Sequence, residues 1–306
     1  MRPVIFELFG LPIHGYGLMI VLGYLLTVYM ATRIVRKWGM EDVFYDLSMV
    51  MLLSGILGGR TMFYILNYSA EFQHRSPFAF FKIWEGGLVL YGGVTGGCLG
   101  GLIYMSWKKL SVLDYMDVSG IVAPIGLAFG RLGCFMNGCC YGRVCSESYA
   151  IGVHFPEDSP PWSHQFNMGL LQRGEVMEAV HPAQLYQAGH DFLLFFLLLY
   201  YVGRGYAPRG AGMPLLWFLY GTGRFFIEGL RNDTPLTLTG LTVSQNYSLA
   251  VVLLFGVLLA WIYSRPSDNR AAAVPVISDI RETVSYTHLR AHETEAALVC
   301  RLLLEK

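Results

Sequence analysis

Charged residues are scarce in this chain: Asp, Glu, Lys and Arg make up 14% of its 306 residues, where a soluble domain carries roughly 25%. That is too little ionisable surface for a soluble globular body. Disorder is excluded as well, because 54% of the residues are hydrophobic and such a chain does not stay solvated. An excess of either sign is also lacking. Lys+Arg and Asp+Glu number 22 each, so no basic surface for nucleic acid is expected. No A-x-A-like cleavage site follows the first apolar run, which is too long for a removable signal peptide. Glycine is the residue in excess, with 35 copies, and glycine is more frequent in transmembrane helices than in soluble ones.

A spanning helix needs about 20 mostly apolar residues, and the gaps between charges supply several such windows. Residues 8–32, 86–107 and 234–264 contain no Asp, Glu, Lys or Arg. Four more windows hold isolated charges: Arg60 in 47–70, Arg131 in 118–142, Asp191 in 179–203, and Arg224 with Glu228 in 210–230. The expected fold class is therefore an all-α integral membrane protein of seven transmembrane helices, centred near Val21, Ile56, Gly96, Ala123, Phe195, Phe218 and Phe255.

Positive residues stay on the cytoplasmic side of short loops. Arg33, Arg36 and Lys37 follow the first span, Lys108 and Lys109 the third, Arg204 and Arg209 the fifth, and Arg265 and Arg270 the seventh. The expectation is an outer N-terminus and a cytoplasmic C-terminus, with Arg2 a weak counter-signal. Two outer segments are too long to be turns. Residues 139–180, with Pro156, Pro160 and Pro161, read as a small external head. Residues 68–85, with Phe72, Phe78, Phe80, Phe81 and Trp84 among charges, read as an interfacial arm or an ordinary aromatic belt. The transmembrane domain then covers 1–265 and a cytoplasmic tail 266–283. Residues 284–306, VSYTHLRAHETEAALVCRLLLEK, resemble translated adaptor or vector read-through and are set aside from the fold.

An arginine at the centre of a span costs about 2.5–3.5 kcal/mol on insertion scales. Arg60, Arg131 and Arg224 must therefore face the bundle interior or water, which implies a polar cavity. Tyr220, Arg224 and Glu228 are spaced i, i+4, i+8 on one helix face, with Arg231 beyond them. The Arg224–Glu228 spacing also fits a pair that merely neutralises itself. Around Arg131 the text is GRLGCFMNGCCYG, in which glycines let backbone approach a ligand and Asn137 offers donors and acceptors. In the third span, GGLVLYGGVTGG sets Tyr91, Gly92 and Gly93 beside a glycine-dense face. That face either admits a bulky apolar substrate or packs closely on another helix.

Six motifs in order carry a family resemblance: HGYGLM from His14, GGRTMFY from Gly58, EGGLVLYGG from Glu85, GRLGCFMNG from Gly130, HPAQLYQ from His181 and YGTGRFFIEGLR from Tyr220. Together, over most of residues 1–265, they resemble the prolipoprotein diacylglyceryl transferases. The resemblance implies a seven-helix bacterial inner-membrane enzyme with a periplasmic head. Such an enzyme transfers the diacylglyceryl group of phosphatidylglycerol to the lipobox cysteine of prolipoprotein signal peptides, forming a thioether and releasing glycerol 1-phosphate. Its partners are those two substrates and membrane lipid, with no cofactor or metal. Carried over by position, it implies catalytic roles for Arg131, Arg224, Tyr220, Tyr16 and, in place of the usual histidine, Tyr91. It also implies substrate contacts from Arg131, Arg60, His14, Asn137, Gly142, Gly92, Gly93, Glu228 and Arg231.

The chain departs from the family pattern at Tyr91, at Cys134 where an asparagine is usual, and at Cys139 where an acidic residue is common. A phenol ionising near 10 is a poor general base at neutral pH, whereas a histidine near 6.5 is well matched. His14 is a second candidate base, and the field of Arg131 and Arg224 is another means of ionising the acceptor thiol. A disulfide of Cys145 with Cys139 or Cys140 is one pairing open to the cysteines. Zinc is disfavoured by the lack of C-x-x-C spacing and by His154 being the only imidazole nearby in sequence. Two other functions stay open. One is a paralogue of altered acceptor or no activity, motivated by Tyr91. The other is a small-molecule transporter, against which stands the lack of internal repeats.

Overall fold

The computed structural model describes residues 4–8, 11–36, 41–68, 77–82, 87–146, 149–231, 237 and 239–265. The tail after residue 265, with its expected boundary at 284, and most of the expected arm lie outside the described residues. A two-stranded antiparallel hairpin, β1 (Val4–Leu8) and β2 (Leu11–His14), leads directly into α1 (Gly15–Val35). This hairpin departs from the all-α expectation; the named elements that follow are helical. Next come α2 (Glu41–Leu66), a 3-10 turn at Pro77–Phe81, α3 (Leu90–Trp107) and α4 (Val112–Asn137). The short α5 (Pro160–Asn167), α6 (Ala183–Tyr201), α7 (Gly212–Glu228) and α8 (Val243–Ser264) complete the chain.

Each of the seven expected span centres falls inside a helix: α1, α2, α3, α4, α6, α7 or α8. Four of these, α1, α2, α4 and α8, are long and apolar enough to cross a membrane. Their outer faces show large apolar side chains such as Leu25, Leu53, Leu253 and Val257 to the surroundings, which suits a lipid solvent and not water.

The main apolar core sits at one end of the bundle. There the last turns of α1 (Ile34, Val35), α3 (Tyr104), α6 (Leu198) and α8 (Leu259, Ile262) meet the first turns of α2 (Phe44, Leu47), α4 (Val118, Ile121) and α7 (Leu216). That end is tied by Asp117, a buried carboxylate that accepts from the Gly210 and Gly212 amides at 2.7 Å each, satisfying the N-terminus of α7. The approach depends on Gly120, where a Cβ would overlap the Gly212 backbone.

α2 and α3 pack through facing glycines. A Cβ on Gly58 would overlap the Gly92 carbonyl and come 2.8 Å from the Gly96 Cα, and one on Gly92 would overlap Gly58 in turn. Small residues at such a seam let helix backbones meet, and Gly92 lies against α2. Gly93 faces the Gly55 carbonyl, 3.5 Å from an added Cβ. Of the two uses expected for the third span's glycines, close packing on another helix is the one these contacts display.

Residues 139–180 close around a second, small cluster of Phe155, Trp162, Leu171, Met177 and Val180. Val180 bridges both Val144 and Val153 in antiparallel fashion. Ser159 caps α5 by accepting from the Trp162 amide, with prolines in its first turn, where a missing N–H costs nothing.

Candidate active site

At the end opposite the core, α4 and α7 bring guanidiniums together. Arg131 lies two turns before the end of α4 and donates to the Tyr220 hydroxyl of α7 at 3.4 Å. One turn on, Arg224 pairs with Glu228 at 2.7 Å, and Arg231 approaches the same carboxylate oxygen at 3.5 Å. Glu228 is fully buried. Arg131 and Arg231 are both within electrostatic reach of Arg224, so among the described residues the cluster holds three cations and one anion. From α1, Tyr16 packs on the Gly133 face of α4, where a Cβ would come 3.1 Å from its ring. A hollow of about 150 Å³ opens beside Tyr220 and Arg224, walled by Trp217, Ser244, Tyr247 and Ser248.

Gly142 binds this end together. Its amide donates to the His181 carbonyl at 2.8 Å, and the next amide, of Arg143, to the Leu230 carbonyl at 2.8 Å. A Cβ at 142 would come 2.7 Å from that of His181 and 3.0 Å from the Leu230 oxygen. Gly142 therefore lets the loop after α4 dock against the ends of α6 and α7, which fixes Arg231 relative to Arg131. Asn137, the last residue of α4, lines a separate hollow of about 290 Å³ with Phe155, Glu157 and Ser159.

The other expected site residues, Arg60, Tyr91 and His14, sit on α2, on α3 and at the end of β2. Arg60 is buried, and its donors go to backbone carbonyls, those of Phe80 and Ala79 at 2.8 Å and of Lys82 and Gly87 at 3.2 Å. It fastens the segment between α2 and α3, so the charge in the second span is satisfied without a substrate. Tyr91 sits on the first turn of α3, 75% exposed, and makes no hydrogen bond to another described residue. His14 is exposed at the end of β2 and does not cap α1.

The thiols differ most from expectation. No disulfide joins any two of the five described cysteines, so Cys145 pairs with neither Cys139 nor Cys140. Instead the sulfurs of Cys134, Cys139 and Cys140 lie within 4.8 Å of one another. Gly138 ends α4 in the left-handed conformation, and the Cys139 amide returns to the Cys134 carbonyl at 3.1 Å. This reversal brings positions i, i+5 and i+6 together, which a C-x-x-C search cannot find. Cys140 itself is left-handed, φ 61°, a strained setting for a non-glycine residue. Its thiol is drawn well below the usual range, first by hydrogen bonds from Cys134 and Cys139 and then by the Arg231 and Arg131 charges.

Sequence reasoning also passed over a polar group inside α6. Asp191, fully buried, accepts from the Gln187 amide at 2.9 Å and lies 3.3 Å from His190 Nδ1. The His190 ring fills the space where Gly223, next to Arg224, lacks a side chain. The i, i+4 spacing of Gln187 and Asp191 was the available signal.

The comparisons agree with this geometry. A sequence model described as prolipoprotein diacylglyceryl transferase matches residues 3–262. The chain belongs to that family. It is 35% identical over 257 residues to the phosphatidylglycerol–prolipoprotein diacylglyceryl transferase of Clostridium tetani, covering 83% of this chain and 95% of that one. The second such enzyme of Clostridium perfringens is 34% identical over 262 residues, covering 85% and 94%. That of Symbiobacterium thermophilum is 31% identical over 275 residues, covering 89% and 96%. The match spans the hairpin, the head and the helices that carry Arg131 and Arg224.

Proposed function

We propose that this chain transfers the diacylglyceryl group of phosphatidylglycerol to the thiol of the lipobox cysteine in prolipoprotein signal peptides, forming a thioether and releasing glycerol 1-phosphate. The observation that carries this reading is that Arg224 and Arg231 share the carboxylate of Glu228 while Arg131 lies within electrostatic reach of Arg224. A phosphodiester has one negative charge and the departing phosphate monoester up to two. Among the described residues, three cations against one anion leave two positive charges, which complement the leaving phosphate better than the bound lipid. Interactions stronger in the transition state than in the ground state are the ones that accelerate a reaction. Guanidiniums also grip phosphate bidentately and stay charged in a dry site. Tyr220 orients Arg131, and Tyr16 closes the α1 side.

The chain is read as a multi-pass protein of the bacterial inner membrane with seven spans, its N-terminus outside and its C-terminus in the cytoplasm. Alternation of helix ends around the core and the Lys/Arg asymmetry of the loops support this. The arginine cluster then lies towards the outer leaflet, where an exported signal peptide presents its cysteine. The apolar helix flanks leave the acyl chains in the bilayer while the headgroup enters.

Replacing Arg131 or Arg224 by Ala is expected to lower transfer from phosphatidylglycerol to a synthetic lipobox peptide by on the order of 10²–10³, the scale for removing one donor to a developing negative charge. Lysine at either position should recover little, since a point charge lacks the two-pronged geometry. Near-normal turnover by a membrane-inserted Ala variant would remove these arginines from the reaction.

A further inference from the structure

The phosphate chemistry leaves the thiol cluster at the end of α4 without a task, and Tyr91, a phenol where a histidine is usual, is a poor base for the acceptor thiol. We propose that Cys134, Cys139 and Cys140 form a three-thiolate site for Zn²⁺ whose open fourth position takes the acceptor cysteine. The proposal rests on the reading of this chain as a thiol-alkylating transferase.

Four observations carry it. Three sulfurs sharing one tetrahedral ion at 2.3 Å lie about 3.8 Å apart, and these are already within 4.8 Å, so small side-chain rotations complete the site. The backbone is held for the purpose: the Gln184 amide donates to the Cys139 carbonyl at 2.7 Å, and Cys140 keeps a left-handed conformation that its residue type disfavours. Thiolates are soft ligands that select zinc over hard cations. Among the described residues no fourth His, Cys, Asp or Glu joins the group, which matches zinc sites that keep one position for a reactant.

The surroundings suit such a site. Three thiolates and Zn²⁺ carry one net negative charge, and Arg131 and Arg231 both face Cys140. The Asn137 side chain hydrogen-bonds the Cys139 sulfur, the kind of outer contact that orients a ligand. Cys134 follows Arg131 by three residues on α4, on the same face. An acceptor sulfur held at the cluster therefore lies beside the guanidinium assigned to the phosphate.

The step balances without a redox partner. The acceptor thiol gives its proton to water as it binds Zn²⁺, because a coordinating thiol is deprotonated. Its sulfur lone pair forms the bond to the terminal glyceryl carbon. The carbon–oxygen bond to phosphate breaks, and its electron pair leaves on the phosphate oxygen between Arg131 and Arg224. The resulting thioether is a neutral, weaker ligand, and the product departs. An unassisted thiol ionising near 8.5 is only a few per cent thiolate at pH 7, so full ionisation raises the rate on the order of 30-fold.

The test uses the full chain, purified in detergent from zinc-supplemented cells. The expected result is one zinc per chain, falling below a tenth in Cys139→Ser and in Cys140→Gly. The second variant suits the left-handed backbone and so separates metal loss from misfolding. Cobalt substitution should give a thiolate charge-transfer band whose ligand-field region changes on adding a lipobox peptide, but not its Cys→Ser counterpart. Stripping the zinc should slow transfer about 10- to 30-fold, with recovery on adding Zn²⁺. Metal-free protein with full activity, a disulfide among the three thiols in active protein, or a cobalt spectrum indifferent to the cysteine peptide would each overturn the proposal. Metal binding with the peptide-dependent change, but no transfer from phosphatidylglycerol, would uphold the site and sink the transferase reading instead.

Discussion

Tyr91 and Arg131 illustrate how differently two positions of equal prominence in the sequence are used. Arg131 is fixed against Tyr220 across two helices, while Tyr91 projects from the first turn of α3 with three quarters of its surface free. Replacing Tyr91 by Phe is accordingly expected to leave diacylglyceryl transfer within about twofold of wild type, since no hydrogen bond is broken that would cost the roughly 0.5–1.5 kcal/mol of a typical one. Tyr91→His should bring no gain at any pH, because a side chain at this exposed position has no described hydrogen-bond partner to hold an imidazole in place. A Phe variant slower by more than a hundredfold across a pH series would put the phenol in the chemistry. Arg60 was legible as a costly charge within a span, but its partners were not. Nothing in the text GGRTMFY says that backbone carbonyls from residues 79–87 would fill its donors.

Among the helices, the α2–α3 pair depends most on a single residue type. Gly58, Gly92 and Gly96 meet backbone to backbone, so a side chain at any of them must push the helices apart. Gly92→Val is expected to destabilise the protein by about 1–3 kcal/mol, the range for overpacking a close contact, read as a fall of several degrees in the unfolding temperature in detergent. Gly189→Ala serves as the control. No atom lies within 4 Å of a Cβ at that position on α6, so alanine should be neutral or slightly stabilising through helix propensity. An unchanged transition for Gly92→Val would remove the seam as a packing device. Glycine density in the third span was plain in the sequence. Whether those glycines faced a helix or a ligand was not, because both uses require the same absent side chain.

Across the whole molecule, apolar packing is concentrated at one end and the buried arginine cluster lies at the other. Seven alternating helices joined tightly at the core end leave the opposite end to the head segment and the arginine cluster. The orientation predicts that Val176, 79% exposed in the head, faces outwards, and that Tyr206, 56% exposed between α6 and α7, faces the cytoplasm. With the native cysteines replaced by serine, Val176→Cys should react with an impermeant maleimide in intact cells, and Tyr206→Cys only after permeabilisation. The reverse pattern would invert the topology.

The sequence by itself determined where the helices lie, which residues are charged inside them, and which family signature they bear. Each of these follows from a contiguous stretch, since a helix satisfies its own backbone and an apolar window needs no partner to be recognised. Tertiary structure decided which of those charges converge. Arg131 and Arg224 meet because Gly120 lets α7 lie close along α4, whereas Arg60 is taken up by its own neighbouring segment. It also decided that three cysteines at positions i, i+5 and i+6 share one point in space. That convergence comes from a chain reversal at Gly138 and from the hydrogen bonds of Gly142 to His181 and of Arg143 to Leu230, residues far apart along the chain. Spacing along the chain carries no record of them.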